Sequence, residues 1–352
     1  MRRHWFFLIM LALTLTVIVA LSGCGGQETA QGVEQNQTKE ENNGSKTTEA
    51  EYVLQLGHIA PPAHSYSLGI EAFAKDLQEA TDGRVSLEIF GGGQLGGERD
   101  VVEQVSLGTL DMTLVTSGPV GNFVPDLAVI EMPFLFKDID HVYRVLDGEI
   151  GQELLAKMED SNLVGLAFWE NGFRHLSNNK HPIYSPDDLQ GLTMRTIEND
   201  IFVETYRALG ADPTPIAWPE VFTSIQQGVA DGLDTSYGVF HSTNIYEVQK
   251  YYSETNMYYA SAVLLINKDV FESLPADLQD VMRELAVEHA HKQRAVNQEM
   301  ETEQKELLKE VGIEIVDFED VDIDAFREAV QPVYERYADR FGDLVQRIQD
   351  MQ

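Results

Sequence analysis

The chain has 352 residues, in which 25 Lys and Arg stand against 58 Asp and Glu for a formal charge of −33, and it contains one cysteine. An excess of negative charge this large repels nucleic acid and anionic lipid headgroups. A lone thiol supports neither an internal disulfide framework nor a thiolate metal site. The acidity fits a salty or an alkaline habitat equally well.

Arg2 and Arg3 precede an uncharged apolar run from Trp5 to Leu21, the layout of an export signal. Leu21-Ser22-Gly23-Cys24 closes that run with a small residue followed by the sole cysteine, the pattern that lipoprotein processing requires. Residues 1–23 are therefore read as a lipoprotein signal peptide, with Cys24 acylated and becoming the new N-terminus. A retained transmembrane helix is the alternative, because about 18 apolar residues just span a bilayer. Loss of Arg2 and Arg3 with the signal removes two positive charges and takes −33 to −35. Residues 24–50 are polar, lack aromatic side chains and cannot bury enough apolar surface to fold, so they read as a flexible tether. Such a tether holds the folded body at the outer face of the cytoplasmic membrane, lipid-anchored and extracytoplasmic.

From Glu51 onward, short apolar strands alternate with amphipathic helices, the signature of an α/β protein. Strands are expected at 53–57, 85–90, 111–116, 163–168, 192–195, 232–235 and 262–266, with helices at 65–81 and 98–107. Between Pro275 and Val311 there is neither Gly nor a further Pro, which allows a helix of about 37 residues and roughly 55 Å, ended by Gly312. His289 and His291 on that helix are two apart and face different directions, which argues against a shared metal.

The run Gly91-Gly92-Gly93-Gln94-Leu95-Gly96 matches the G-x-G-x-x-G dinucleotide pattern between a strand and a helix. That reading needs an acid at the end of the next strand to hold a ribose, whereas Asp111 stands at its start and Thr116 at its end. The plainer reading is a tight turn that presents backbone amides and Glu98 at a helix N-terminus. The sequence has no G-x-S-x-G elbow, no H-E-x-x-H helix and no G-K-[ST] phosphate loop, and neither catalysis nor a cofactor is expected.

A denser pattern starts at Phe168-Trp169-Glu170-Asn171-Gly172-Phe173-Arg174-His175 and runs through Asp188-Leu189-Gln190-Gly191-Leu192-Thr193-Met194-Arg195. With Gly210-Ala211-Asp212-Pro213-Thr214-Pro215, Gln226-Gln227-Gly228-Val229-Ala230-Asp231-Gly232 and Tyr246-Glu247-Val248-Gln249-Lys250, it resembles the solute-binding proteins of tripartite ATP-independent periplasmic (TRAP) transporters. The resemblance extends from about Tyr52 to the C-terminal helices. It implies a two-lobed, periplasmic-binding-protein-like α/β fold with crossing strands and a long helix spanning both lobes. Lobe I would comprise 51–171 and 261–300, and lobe II 172–260 and 301–352. It further implies a small organic-acid anion captured by hinge closure and passed to TRAP permease subunits in the membrane. A ligand-sensing lipoprotein that signals through a membrane receptor would share the same site, and an exported hydrolase is a further alternative.

By the same resemblance Arg195 matches the arginine that holds the ligand carboxylate, a role suited to a planar, permanently charged fork. Arg174 matches a second cleft arginine, which either takes another ligand oxygen or supports the site. Trp218 matches an aromatic wall or is simply core. Glu198 and Asn199 match the polar loop after the arginine, Glu98 a polar group from the first lobe, and His64 either a ligand contact or a cap. Many relatives carry Glu-Asn-Pro where this chain has Asp234-Thr235-Ser236, so Thr235 replaces an amide and Tyr237 or a water would fill the gap. Thr116-Ser117-Gly118-Pro119 lacks the acid and arginine of the sialic-acid branch, which favours a C4-dicarboxylate or a related hydroxy or sugar acid.

Overall fold

The computed structural model describes residues 50–352; the expected signal segment, Cys24 and most of the tether lie outside them. None of the described helices is long and apolar enough to cross a membrane. The first elements follow the sequence pattern closely: β1 (Tyr52–Gly57), α1 (Ser65–Ala80), β2 (Val85–Phe90), α2 (Glu98–Ser106) and β3 (Met112–Thr116). Ile70, Phe73 and Leu77 form the buried stripe of α1, and His64 caps it, its Nδ1 accepting from the Tyr66 N–H at 3.1 Å.

The remaining strands are β4 (Leu163–Asn178), β5 (Thr193–Thr196), β6 (Asp212–Pro215), β7 (Gly232–Thr235), β8 (Tyr251–Asn267) and β9 (Glu314–Val316). They join the first three in one sheet ordered β2-β1-β3-β8-β4-β7-β5-β6, with β9 beside β8. The expected strands at 163–168 and 262–266 prove to be parts of β4 and β8, which run 16 and 17 residues and pair antiparallel along their length. Sequence pattern stops short because Glu170-Asn171-Gly172 and Arg174-His175 look like loop, yet Glu170, Asn171, Arg174 and His175 are buried. Register shifts at Glu170/Gly172 and Arg174/Leu176 bend the ladder where the two halves of the sheet meet.

Strand directions decide where the two halves point. β3 pairs antiparallel with the C-terminal half of β8, placing Thr116 opposite Ala262, itself the partner of Trp169. β7 pairs antiparallel with the far end of β4, placing Thr235 opposite His175. The carboxyl ends of β3 and β7 therefore converge on the middle of β4 from opposite sides. In open α/β sheets that is where backbone and loops leave a crevice for ligand.

The long helix, Ala276–Glu310, has 35 residues, so it is about 52 Å long at the usual rise per residue. Gly312, at φ +91°, lets the chain turn out of it, as a C-terminal glycine does. The helix packs along β4, where β7 covers only His175–Asn178 and leaves the rest of that edge without a strand. Its side chains fill the vacancy: Gln293 accepts from the Glu170 N–H at 2.9 Å and donates to the Glu170 carbonyl at 2.7 Å. Arg294 donates to the Phe168 carbonyl at 2.7 Å, and Trp169 Nε1 donates to the Ala286 carbonyl at 3.2 Å. Each bond settles a backbone or indole group that burial would otherwise leave unpaired.

His289 is buried with Nε2 3.0 Å from Asp76, and no cluster of three or more metal-ligating side chains occurs among the described residues. One difference from the expected lobe division stands out at the C-terminus. Arg340 donates to the Pro125 carbonyl, Arg347 pairs with Glu153 and His141 Nε2 meets the Ile348 carbonyl at 2.8 Å, all on segments placed in lobe I. Arg336 meanwhile pairs with Glu204 on the other side at 3.1 Å, so the last helices bridge the halves and do not belong to lobe II alone.

Candidate functional site

At the convergence point lies a cleft whose empty volume, open mouth included, is about 450 Å³. Of the residues expected at the site, Arg195, Arg174, Trp218, Thr235, Glu98 and His64 line it. The first half of the sheet supplies the Ile59–Pro61 loop, His64, Tyr66, Glu98 and Thr116; the second supplies Arg195, Ile197, Trp218, Thr235, Val239 and Thr243. Asn171 and Arg174 rise from the seam between them.

Arg195 lies on β5 between β6 and β7, 4 % exposed. Its Nε donates to the Ile216 carbonyl at 2.9 Å, and the guanidinium carbon lies 5.4 Å from the centre of the Trp218 ring, a cation–π distance. Among the described residues no carboxylate pairs with it. Burial, then repulsion from Arg174, lower its pKa to about 10, so it remains charged at neutral pH. An arginine thus desolvated, with its terminal nitrogens free of protein partners, is built to receive an anion through two parallel bonds.

Arg174 is committed differently. Its guanidinium binds both the carboxylate and the carbonyl of Asp234, the residue before Thr235, and Tyr206 donates to the other Asp234 oxygen at 2.8 Å. The ion pair is buried, and the Asp234 charge raises the Arg174 pKa against the lowering effect of burial.

Glu98 opens α2 and accepts from the Thr116 N–H at 2.8 Å and the Thr116 hydroxyl at 2.6 Å. Burial pushes its carboxyl pKa up, against the pull of Thr116 and the two arginines. The glycine loop before it is a turn with positive φ at Gly92, Gly93 and Gly96, tied down where Asp100 accepts from the Gly97 N–H at 2.8 Å. A pyrophosphate at this helix N-terminus would face Glu98 and Asp100, and Asp111 is engaged by the Gln55 N–H at 2.7 Å. The turn reading of the loop accords with these bonds.

Three cavity-lining polar atoms are buried without a hydrogen-bond partner: His64 Nε2, Tyr66 Oη and Thr235 Oγ1. Burial lowers the His64 pKa to about 4, so the ring is neutral at pH 7; with Nδ1 accepting from Tyr66 N–H, its hydrogen resides on Nε2.

Glu198, Asn199 and Tyr237 are not brought to the cavity. The Tyr237 hydroxyl donates to Glu254 at 2.7 Å and so does not fill the gap beside Thr235. Asn199 caps the helix Asp200–Ala208 and donates through Nδ2 to the Gly118 carbonyl at 2.9 Å. The Glu198 carbonyl accepts from Asn122 Nδ2 at 2.7 Å, and its carboxylate lies 4.0 Å from Arg99. These two residues bond to Asn122, Arg99 and Gly118 of the other half and do not line the cavity. Sequence reading missed Tyr66, Thr116, Asn171 and Asp234 as site residues. Thr116, Asn171 and Asp234 stand inside motifs that the sequence pattern singles out, whereas Tyr66 reads as one more apolar position of α1.

A two-lobed α/β protein with an arginine-bearing cleft between its lobes is of the solute-binding class. Residues 56–340 match the family described as bacterial extracellular solute-binding protein, family 7, and the chain belongs to that family. It is 37 % identical over 296 residues to a solute-binding protein of Verminephrobacter eiseniae, covering 84 % of this chain and 88 % of that one. A TRAP periplasmic solute-binding protein from Polaromonas, bound to D-erythronate, superposes with a TM-score of 0.83 at 38 % identity, covering 85 % of this chain and 98 % of that one. A second, from Roseobacter denitrificans with bound β-D-glucuronate, has a TM-score of 0.83 at 31 % identity, covering 85 % and 100 %. The family is extracytoplasmic, and its members are substrate-binding transport proteins.

Proposed function

We propose that this protein is a lipid-anchored binding protein that captures a small organic-acid anion, a C4-dicarboxylate-like or sugar acid, and delivers it to a TRAP membrane permease. The observation that carries the reading is the buried, unpaired Arg195 at the meeting point of two sheet halves. The sugar acids bound by the Polaromonas and Roseobacter proteins support it. The anion first meets Arg195 in an open cleft; closure about the crossing at Gly172 and Ala260 then buries it and adds Glu98 and His64 from the other half. The protein's negative charge opposes long-range attraction of anions, so affinity rests on these local donors and on burial. Cys24 carries the lipid, and its replacement by Ala releases the protein from the membrane.

A thermal-shift screen against organic acids, sugar acids, neutral sugars and amino acids, followed by calorimetry, tests the capture reading. Stabilisation by carboxylates without turnover is expected. A response to neutral ligands alone, or conversion of the added compound, would overturn it.

A further inference from the structure

The long helix presents a polar stripe to the seam of the sheet: Gln293, Asn297 and Glu301 stand four residues apart and Gln304 three further on, all on one face. The first two are satisfied. Gln293 Nε2 donates to the Ser65 hydroxyl at 3.0 Å, that hydroxyl donates to Asn297 Oδ1 at 2.8 Å, and Asn297 Nδ2 donates to Glu170 at 3.0 Å. The last two are not, for Oε1 of Glu301 and Oε1 of Gln304 are buried with no hydrogen-bond partner. Satisfaction stops at Gly172, the residue of φ +108° where β4 crosses between the halves. The Glu301 carboxyl lies directly against it, since a Cβ at that position would collide with the carboxyl oxygens.

The surroundings of this carboxyl do not favour a charge. The titratable groups that face it are Glu170 on β4, Tyr143 on the helix Ile139–Leu146 and Tyr252 on β8. The neighbouring cations are committed: Arg294 to Asp147 at 2.7 and 2.8 Å, Lys305 to Glu254 at 2.7 Å and to Asp317 at 2.8 Å, and Arg174 to Asp234. Burial, and then the Glu170 charge, push the Glu301 carboxyl well above the usual carboxylate range. A proton removes the buried charge and turns one of two partnerless acceptors into a donor.

Resting on the capture reading above, we infer that Glu301 is a proton-operated catch on the hinge: the closed form holds it neutral, opening of the cleft discharges it, and capture tightens as pH falls and loosens as pH rises. Rotation of the halves about Gly172 moves β4 past this carboxyl, and water reaches it as the contact parts. The closed form then takes up its proton at higher pH than the open form. The contribution to closure is complete below the ordinary carboxylate range and is lost as pH rises through the closed-form value. Glu301 does not line the cavity and acts on the ligand only through the hinge.

Calorimetric titrations with D-erythronate and with β-D-glucuronate, the acids bound by the Polaromonas and Roseobacter proteins, test this between about pH 5 and 9. Glu301→Gln keeps the shape of the neutral acid, and Glu299→Gln removes an equal charge from an exposed position on the same helix. Glu98 and Glu131, whose carboxyls burial also pushes up, add a pH dependence common to all three proteins, so each variant is compared with the parent at the same pH. Glu301→Gln and the parent should bind alike near about pH 5, with the variant at least about tenfold tighter near pH 9. Repeating the titrations in buffers of different ionisation enthalpy should show the parent taking up more protons on binding than Glu301→Gln, by as much as about one. A ratio of affinities that stays flat across this range overturns the inference while leaving acid capture intact, as does a Glu299→Gln ratio that moves equally. Binding of neither acid, nor of any other carboxylate, at any pH removes the capture reading, and the catch falls with it.

Discussion

Around Glu170, at the seam of the sheet, a buried carboxylate is fully engaged: Tyr143 and Tyr259 donate to one oxygen at 2.8 Å, and Asn297 and Gln298 to the other at 3.0 and 2.6 Å. Around Arg195, two strands across in the same sheet, a buried cation holds one backbone carbonyl and little else, and three polar atoms of the same cavity have no partner. Both regions are polar, buried and built on the central strands. The difference is satisfaction: a saturated polar group fixes structure, whereas an unsatisfied one at a cavity is held ready for a ligand.

The comparison breaks most sharply at Arg195. Arg195→Ala should cost about 4 kcal/mol of carboxylate affinity, roughly 1,000-fold, while melting in the absence of ligand stays level or rises, since a desolvated charge has been removed. Unchanged affinity would show that the anion sits elsewhere. Glu170→Ala should do the reverse, lowering stability in urea unfolding by about 3–5 kcal/mol because four donors lose their acceptor. A variant with wild-type stability would mean that the seam is not held by this network.

Glu131 is a buried carboxyl that accepts from the Ser117 hydroxyl, and burial raises its pKa to about 7. Folding therefore favours its protonated form. The native chain binds more protons than the unfolded one between about pH 4.5 and 7, so this group's contribution is fully present below that window and is lost as pH rises through it. Glu131→Gln should be stabilising relative to the parent above pH 7, by up to about 3 kcal/mol, and near neutral below pH 4.5, as chemical unfolding across pH would record. A pH-independent difference would remove Glu131 from the account.

The smallest effect belongs to the bonds that join the halves. Asn122→Ala removes the donor to the Glu198 carbonyl and should weaken ligand binding by about 1 kcal/mol, roughly fivefold, mainly through faster release, with global stability unchanged. Stopped-flow dissociation would detect it; an unaltered release rate would mean that this contact does not hold the cleft shut.

Much of the fold was legible. The strands at 85–90 and 232–235 match the expected bounds residue for residue, the first because Val85, Leu87 and Ile89 alternate with Ser86 and Glu88 after a turn. The long helix was legible from the absence of breakers between Pro275 and Gly312. β4 was cut short because local pattern reads Glu170 and Arg174 as exposed, and their burial is made tolerable by partners remote in sequence, Tyr143, Tyr259, Asn297 and Gln298 for Glu170 and Asp234 for Arg174. The site divides in the same manner. Six of the nine expected residues line the cavity, whereas Glu198, Asn199 and Tyr237 turn to partners that are remote in sequence.

By itself the sequence determined the acidic character, the succession of strands and helices, the family motifs and which arginine was expected at the cleft. Each of these is carried by residue type and by spacing along a few turns of chain. Only the tertiary structure decided which arginine is free, which polar atoms lack partners and which residues join the two halves. Those are pairings across long stretches of chain, such as Arg174 with Asp234 and Gln293 with Glu170, and chain-local pattern carries no record of them.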